Sequence, residues 1–196
     1  MKRIFDITFA FLGLLVLLPL FLLVAFLIKM DSAGPVFFRQ RRVGRGLIPF
    51  FILKFRTMVP DAPRKGGQIT FGSDPRITRI GRLLREAKID EIPQLLNVLL
   101  GDMSFVGPRP EVPKYVELYP EDFREILQVR PGMTDLASLK YRNEAGLLGR
   151  SEDPEREYIQ RILPDKIRIS KEYLRRSSLW FDCCVIFKTL VLIVKG

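Results

Sequence analysis

Two adjacent carboxylates, Asp90 and Glu91, stand immediately before Ile92-Pro93, where a helix is expected to start. The free N–H groups and the dipole of a helix N-terminus keep such a carboxylate ionised and also attract phosphate. An ionised carboxylate can attack phosphorus, and the same pair is also an ordinary helix cap. Its cationic neighbours favour the chemical reading. Arg85 lies a little more than one turn before Asp90, and Arg109 is pinned between Pro108 and Pro110, so two planar forks are expected to converge where a diphosphate would sit. The sequence has no histidine, which removes the commonest general base and the commonest transition-metal ligand and leaves acid–base work to carboxylates. Its two cysteines, Cys183 and Cys184, are adjacent and supply neither a disulfide framework nor a zinc site.

These residues need a scaffold, and 196 residues suffice for one domain with a real core but not for two of ordinary size. The net charge of +10 points to anionic partners: lipid headgroups, nucleotides, lipid phosphates or nucleic acid. Residues 36–43 and 47–58 read as strands around Gly44-Arg45-Gly46, a hairpin that would put Lys54 and Arg56 on one face. Residues 61–73 are polar and aperiodic and read as a loop able to close over a ligand. Asp74-Pro75 offers a cap and a first-turn proline for a helix with Ile77, Ile80, Leu83 and Leu84 on one side and Arg76, Arg79, Arg82 and Arg85 on the other. A second helix is expected from about Asp90 to Gly101, and further helical pieces at 121–129 and 154–174. Gly/Pro-punctuated stretches separate them at 106–113 and 130–132.

Residues 9–28 are all apolar, Gly or Pro, and at about 1.5 Å per residue a helix of that length just crosses a hydrocarbon core. A single span is the plain reading. Pro19 removes a backbone hydrogen bond and crowds the carbonyl of Leu15, so a break is expected there. Both flanks are basic, Lys2 and Arg3 before the segment and Lys29, Arg39, Arg41 and Arg42 after it, which suits a helix-break-helix that dips in and returns. At the other end, the apolar residues from Leu179 onward leave Asp182, Lys188, Thr189 and Lys195 as a narrow polar stripe. Such a helix suits a membrane interface or a protein core; Trp180, Arg175 and Arg176 tip it toward the interface.

Read in order, the motifs resemble those of the monotopic phosphoglycosyl transferases of the bacterial sugar transferase superfamily. The bearing residues are Gly34-Pro35-Val36-Phe37-Phe38 with Gln40 and Arg42, Lys54-Phe55-Arg56-Thr57-Met58, and Arg85 leading to Asp90-Glu91-Ile92-Pro93-Gln94. Asn97, the run Gly101-Asp102-Met103-Ser104-Phe105-Val106-Gly107-Pro108-Arg109-Pro110, and Arg130-Pro131-Gly132 complete the set. The resemblance implies transfer of a sugar 1-phosphate from a UDP-sugar to polyprenyl phosphate with release of UMP. Asp90 would be the nucleophile and Glu91 the orienting or basic partner. It further implies that Lys54, Arg85 and Arg109 surround the phosphates, with Arg56 and Arg142 as weaker substrate candidates, and that Mg2+ lies near Asp90. The expected location is the cytoplasmic face of a bacterial inner membrane, inserted in one leaflet, with no nucleic-acid partner and with room for a homodimer.

The architecture expected is α+β and mainly helical. A re-entrant, Pro-broken membrane helix would occupy residues 1–30, a small cytoplasmic catalytic domain with a short β-hairpin residues 31–176, and an amphipathic interfacial helix residues 177–196, all one structural unit. Four positions depart from the family pattern: Leu18 before Pro19, Asp135 where Gly is usual, Tyr141 before Arg142, and Ser170 where Asp is frequent. Two other readings stay open. One is a membrane-anchored basic module that holds lipid or RNA without catalysis; the other is a transferase working through a ternary complex with Asp90 as metal ligand only.

Overall fold

The computed structural model describes residues 1–62 and 74–195; most of the stretch expected to be a closing loop, residues 63–73, lies outside them. Helix α1 (Lys2–Asp31) is followed by a hairpin of β1 (Phe37–Val43) and β2 (Pro49–Phe55), paired antiparallel from Phe37↔Phe55 to Val43↔Pro49. The hairpin lies where the sequence puts it, its turn tightened by Gly46 and Leu47, both with positive φ. Helix α2 (Arg79–Glu86), a 3-10 turn at Ile89–Glu91 and helix α3 (Gln94–Leu100) come next. A short parallel pair, β3 (Ser104–Val106) beside β4 (Gly132–Thr134), encloses helices α4 (Pro113–Val116) and α5 (Pro120–Ile126). Helices α6 (Leu136–Lys140), α7 (Glu144–Leu148), α8 (Pro154–Glu157), α9 (Leu163–Arg176) and α10 (Leu179–Lys195) complete the chain. The mainly helical α+β class is as expected, with a two-stranded hairpin.

Helix α1 is long and apolar enough to cross a membrane by length and composition. It runs as one helix through Pro19, where the sequence reading expects a break or a bend. Packing on both sides of the proline accounts for the continuity, since neighbouring elements can hold a helix that has lost one backbone bond. Ala10, Leu14 and Leu17 pack on Leu95 and Val98 of α3, while Leu20, Val24 and Ile28 pack on Phe55 and Leu84. Both ends are tied to the same globular unit. Arg3 donates to the carbonyls of Val98 and Leu99, and the Asp31 carboxylate accepts the backbone N–H of Ile80.

Several joints place the elements around the site. The buried Asn97 side chain accepts from Leu53 N–H at 2.9 Å and donates to the Phe51 carbonyl at 2.8 Å, fastening α3 to the edge of β2. Helix α2 is capped by Thr78, whose hydroxyl accepts from Gly81 N–H at 3.0 Å; Asp74, the expected cap, instead pairs with Arg76. Gly81 lets α2 lie against the chain after β2, since a Cβ there would stand 2.1 Å from the Thr57 carbonyl oxygen. Leu83, expected on the inward stripe of α2, is exposed, and Leu84 fills that role. The main core lies among α4, α5, α7 and α9, with Phe123, Leu127, Leu148 and Leu163 almost fully buried.

Helices α1 and α10 are amphipathic in an inverted sense. Asp6 on α1 is buried and accepts from Ser104 Oγ and Phe105 N–H, and Asp182 on α10 is buried, accepts from Tyr173 Oη at 2.8 Å and pairs with Lys2. Thr189 meets Thr134 at 2.8 Å. The outward faces are apolar instead, with Val16 at 76%, Trp180 at 79% and Phe187 at 68% exposure. In water this arrangement would leave a large apolar patch uncovered.

Candidate functional site

The acidic pair sits on the 3-10 turn Ile89–Glu91, one step ahead of α3, whose cap is Pro93. The helix start is therefore three to four residues later than the sequence suggests, and Lys88 at φ 58° makes the sharp bend that turns α2 into this corner. The two carboxylates have separate surroundings. Glu91 Oε1 accepts from Lys54 Nζ at 2.7 Å and from Arg109 Nη2 at 2.6 Å. Asp90 is buried, yet its carboxylate accepts no hydrogen bond and closes no ion pair among the described residues.

Their proton affinities diverge accordingly. Burial raises the pKa of Asp90, partly offset by the Lys54 charge, with Glu91 pushing the same way as burial and Arg85 and Lys88 opposing it. Burial would raise Glu91 too, but Arg109 and Lys54 outweigh it and hold Glu91 well below the usual carboxylate range. Desolvation lowers the Lys54 ammonium from its ordinary value, against the pull of Glu91. A carboxylate held this firmly ionised is a poor proton acceptor, so the geometry suits Glu91 as an orienting group and works against its acting as a base.

The expected phosphate binders are partly gathered here. Lys54 and Arg109 meet on Glu91; Arg85 donates from Nε to Thr57 Oγ1 at 2.8 Å, and its charge acts on Asp90. Arg56 goes elsewhere: its guanidinium donates to the carbonyls of Ser32 and Ala33 and closes the C-terminal end of α1, a structural position away from the acidic turn. Arg142 is exposed and lines the same cavity as Glu91 and Arg109, but it has no bond to either. That cavity, of about 690 Å³, is reached by Lys88, Glu91, Arg109 and Arg42; Asp90 is not among its lining residues and stands beside it.

Arg109 owes its aim to residues that the sequence reading passed over. Its backbone N–H donates to Asp135 Oδ2 at 3.2 Å, while Asp135 Oδ1 accepts from Ser138 N–H at 2.6 Å and caps α6. The departure from Gly at 135 is thus a helix cap that also anchors the Arg109 loop, and Asp135-Leu136-Ala137-Ser138 carried that signal as a capping pattern. Gly107 and Gly132 permit the close crossing beneath, since a Cβ on Gly132 would lie 2.1 Å from the Gly107 nitrogen. Behind the loop, Arg42 donates to the Pro110 carbonyl at 3.0 Å and faces Glu111, which accepts from Tyr158 Oη at 2.6 Å. At the other departures, Tyr141 Oη donates to Asp165 Oδ2 at 2.7 Å, and burial together with Asp165 pushes the phenol up to about 12. Asp165 also pairs with Lys140 and is not among the residues lining the cavity, whereas the buried Ser170 is.

Among the described residues no three His, Cys, Asp or Glu side chains cluster to hold a metal. The donor set still fits Mg2+ of the kind bound by one carboxylate plus substrate phosphates and water, because the Asp90 oxygens are free of protein donors.

The opposite shifts give opposite variants. An ionised Asp90 is a load on the folded state above its raised pKa, so Asp90→Asn should raise the melting temperature at neutral pH, the difference shrinking as pH falls through that pKa. Glu91→Gln strands Lys54 and Arg109 and should cost on the order of 2 kcal/mol, less than for a fully buried pair because all three groups keep some solvent contact. This loss should be full at neutral pH and fade as pH falls through the depressed pKa of Glu91. Thermal melts of detergent-solubilised protein across pH measure both.

Comparison with known proteins places the chain in a family. The chain is 42% identical over 194 residues to the UDP-glucose:undecaprenyl-phosphate glucose-1-phosphate transferase of Caulobacter vibrioides, covering 96% of this chain and 68% of that protein. It is 42% identical over 201 residues to the exopolysaccharide production protein PSS of Rhizobium leguminosarum, covering 97% and 94%. A third relative is the UDP-N-acetylgalactosamine-undecaprenyl-phosphate N-acetylgalactosaminephosphotransferase of Aeromonas hydrophila, 38% identical over all of this chain but only 44% of its own length. This chain thus spans less than half of one relative and nearly all of another. The family model for bacterial sugar transferases matches residues 1–196 from end to end, and the chain belongs to that family.

Proposed function

We propose that the protein transfers a sugar 1-phosphate from a UDP-sugar to undecaprenyl phosphate through a phosphosugar carried on Asp90. The observation that carries this reading is the contrast within the acidic pair: Glu91 is held by two cations, while Asp90 is buried and, among the described residues, free of protein donors. A nucleophilic carboxylate needs unshared electron pairs, and removal from water leaves them more reactive.

In the first half-reaction an Asp90 oxygen bonds to the sugar-bearing phosphorus, the bond from that phosphorus to the bridging oxygen breaks, and UMP leaves with the electron pair. In the second, a phosphate oxygen of the lipid attacks the same phosphorus, the bond to Asp90 breaks, and the carboxylate returns. Lys54 and Arg109, aimed by Glu91, and Arg85, steadied by Thr57, stabilise the charge on the transferring group. Mg2+, which Asp90 would hold, would supply charge neutralisation for the substrate phosphates.

The membrane side of the reading has its own support. With Asp6, Asp182 and Thr189 making internal bonds and Val16, Trp180 and Phe187 outward, most of these outer faces suits hydrocarbon, and the exposed Lys188 of α10 suits a lipid headgroup. Both ends of α1 are fastened to one globular unit, which fits a helix that enters and leaves from the cytoplasmic side of the inner membrane.

In vesicles with undecaprenyl phosphate, a panel of UDP-sugars should include one that releases UMP, and Asp90→Asn should lower the rate at least about a thousandfold while still binding membrane. Undiminished turnover in that variant removes Asp90 from the nucleophile role. Single cysteines placed at residue 1 and residue 60 in a Cys183→Ser, Cys184→Ser background should react with an impermeant maleimide from the same side of the membrane. Labelling from opposite sides makes α1 a spanning helix.

A further inference from the structure

The cavity beside the acidic turn is lined by both charge and hydrocarbon. Lys88, Glu91, Arg109 and Arg42 line it, and so do Leu17 of α1, Phe105, Met133 of β4, and Ile186, Leu190 and Ile193 of α10; Leu17, Phe105 and Met133 pack in one apolar cluster. Leu190 and Ile193 both line the cavity and are exposed, at 56% and 40%, and Leu18 beside Leu17 is exposed on the outer face of α1. The cavity is therefore open on the apolar flank formed by α1 and α10. Helix α10 is held in place there from within, by Asp182 on Lys2 and Tyr173 and by Thr189 on Thr134, so its apolar residues are committed to the cavity and to the outside.

From this mixed lining and its exposed α10 residues we propose that the α1–α10 flank is a side door, in which the first isoprene units of polyprenyl phosphate lie against Met133, Ile186, Leu190 and Ile193 while its phosphate reaches Arg109. The inference rests on the transferase reading above and assigns the acceptor's hydrocarbon to one place. Charge and apolar surface match an anionic head followed directly by hydrocarbon. At about 690 Å³ the cavity is within the range of pockets for a small molecule, enough for a head group and the start of one chain, and a phospholipid with its two chains is a poorer fit. A carbohydrate donor gains little from the apolar lining.

The test uses the full-length protein in nanodiscs with an isoprenoid phosphate carrying a diazirine on its second isoprene unit. Cross-links should fall on Met133 and on the peptide of residues 179–195, and undecaprenyl phosphate should compete them away where phosphatidylglycerol at equal concentration does not. Labels confined to α1's outer face, or competed equally by phosphatidylglycerol, overturn the proposal. Ile186→Trp, which adds bulk to the apolar lining, should raise KM for the lipid acceptor about tenfold and leave KM for the UDP-sugar within about twofold, a split that a general folding defect would not produce. An unchanged acceptor KM also overturns it. Absence of transfer by the unaltered protein with every donor would instead count against the transferase reading, and the cross-linking pattern is read independently of turnover.

Discussion

The Glu91 carboxylate, shared by Lys54 and Arg109, is the interaction on which the site depends. It joins three parts of the chain that are distant in sequence: the end of β2, the turn before α3, and the proline-flanked loop after β3. Three charges brought together out of water are costly unless they neutralise one another, and the cost is met by geometry that Asn97, Asp135 and Arg42 hold from behind. Because Glu91 takes both cations, its neighbour Asp90 is left without a donor. One carboxylate satisfied and one unsatisfied, side by side, is a division of labour set by environment and not by residue type.

The second constraint is the reversal of polarity on α1 and α10. Asp6, Asp182 and Thr189 point into the protein and make its internal bonds, while phenylalanine, leucine and tryptophan face out. Such outward faces are the kind that hydrocarbon covers. The acidic turn is attached to α1 through α3, so whatever fixes the position of α1 also fixes that of Asp90.

Much of this was legible in the sequence for identifiable reasons. The hairpin was marked by two apolar-aromatic runs around Gly44-Arg45-Gly46, and the acidic pair by its position ahead of Pro93. Lys54 and Arg109 were expected around the phosphates only through the family resemblance; that they meet on Glu91 was not expected, because convergence across 37 and 18 residues leaves no local pattern. The parallel pair β3–β4 escaped for the same reason: each strand has three residues, too few for alternation to show, and the pairing spans 28 positions of the chain. Arg56 was a weaker substrate candidate, on one predicted strand face with Lys54, whereas the open carbonyls at the end of α1 claim it. Pro19 suggested a break or a bend; the helical run is continuous through it, with packing on both of its sides. The polar stripe on α10 was visible, but sequence alone does not say whether a stripe faces water or protein.

The measurement closest to the central claim is intact-mass spectrometry of the protein mixed with a UDP-sugar that it uses, before any lipid acceptor is added. Asp90 acting as nucleophile gives free UMP together with a mass increase of one phosphosugar, mapped to Asp90 and lost when polyprenyl phosphate is supplied. UMP that forms only once the lipid is present, with the protein's mass unchanged throughout, contradicts a covalent route and leaves Asp90 at most a metal ligand.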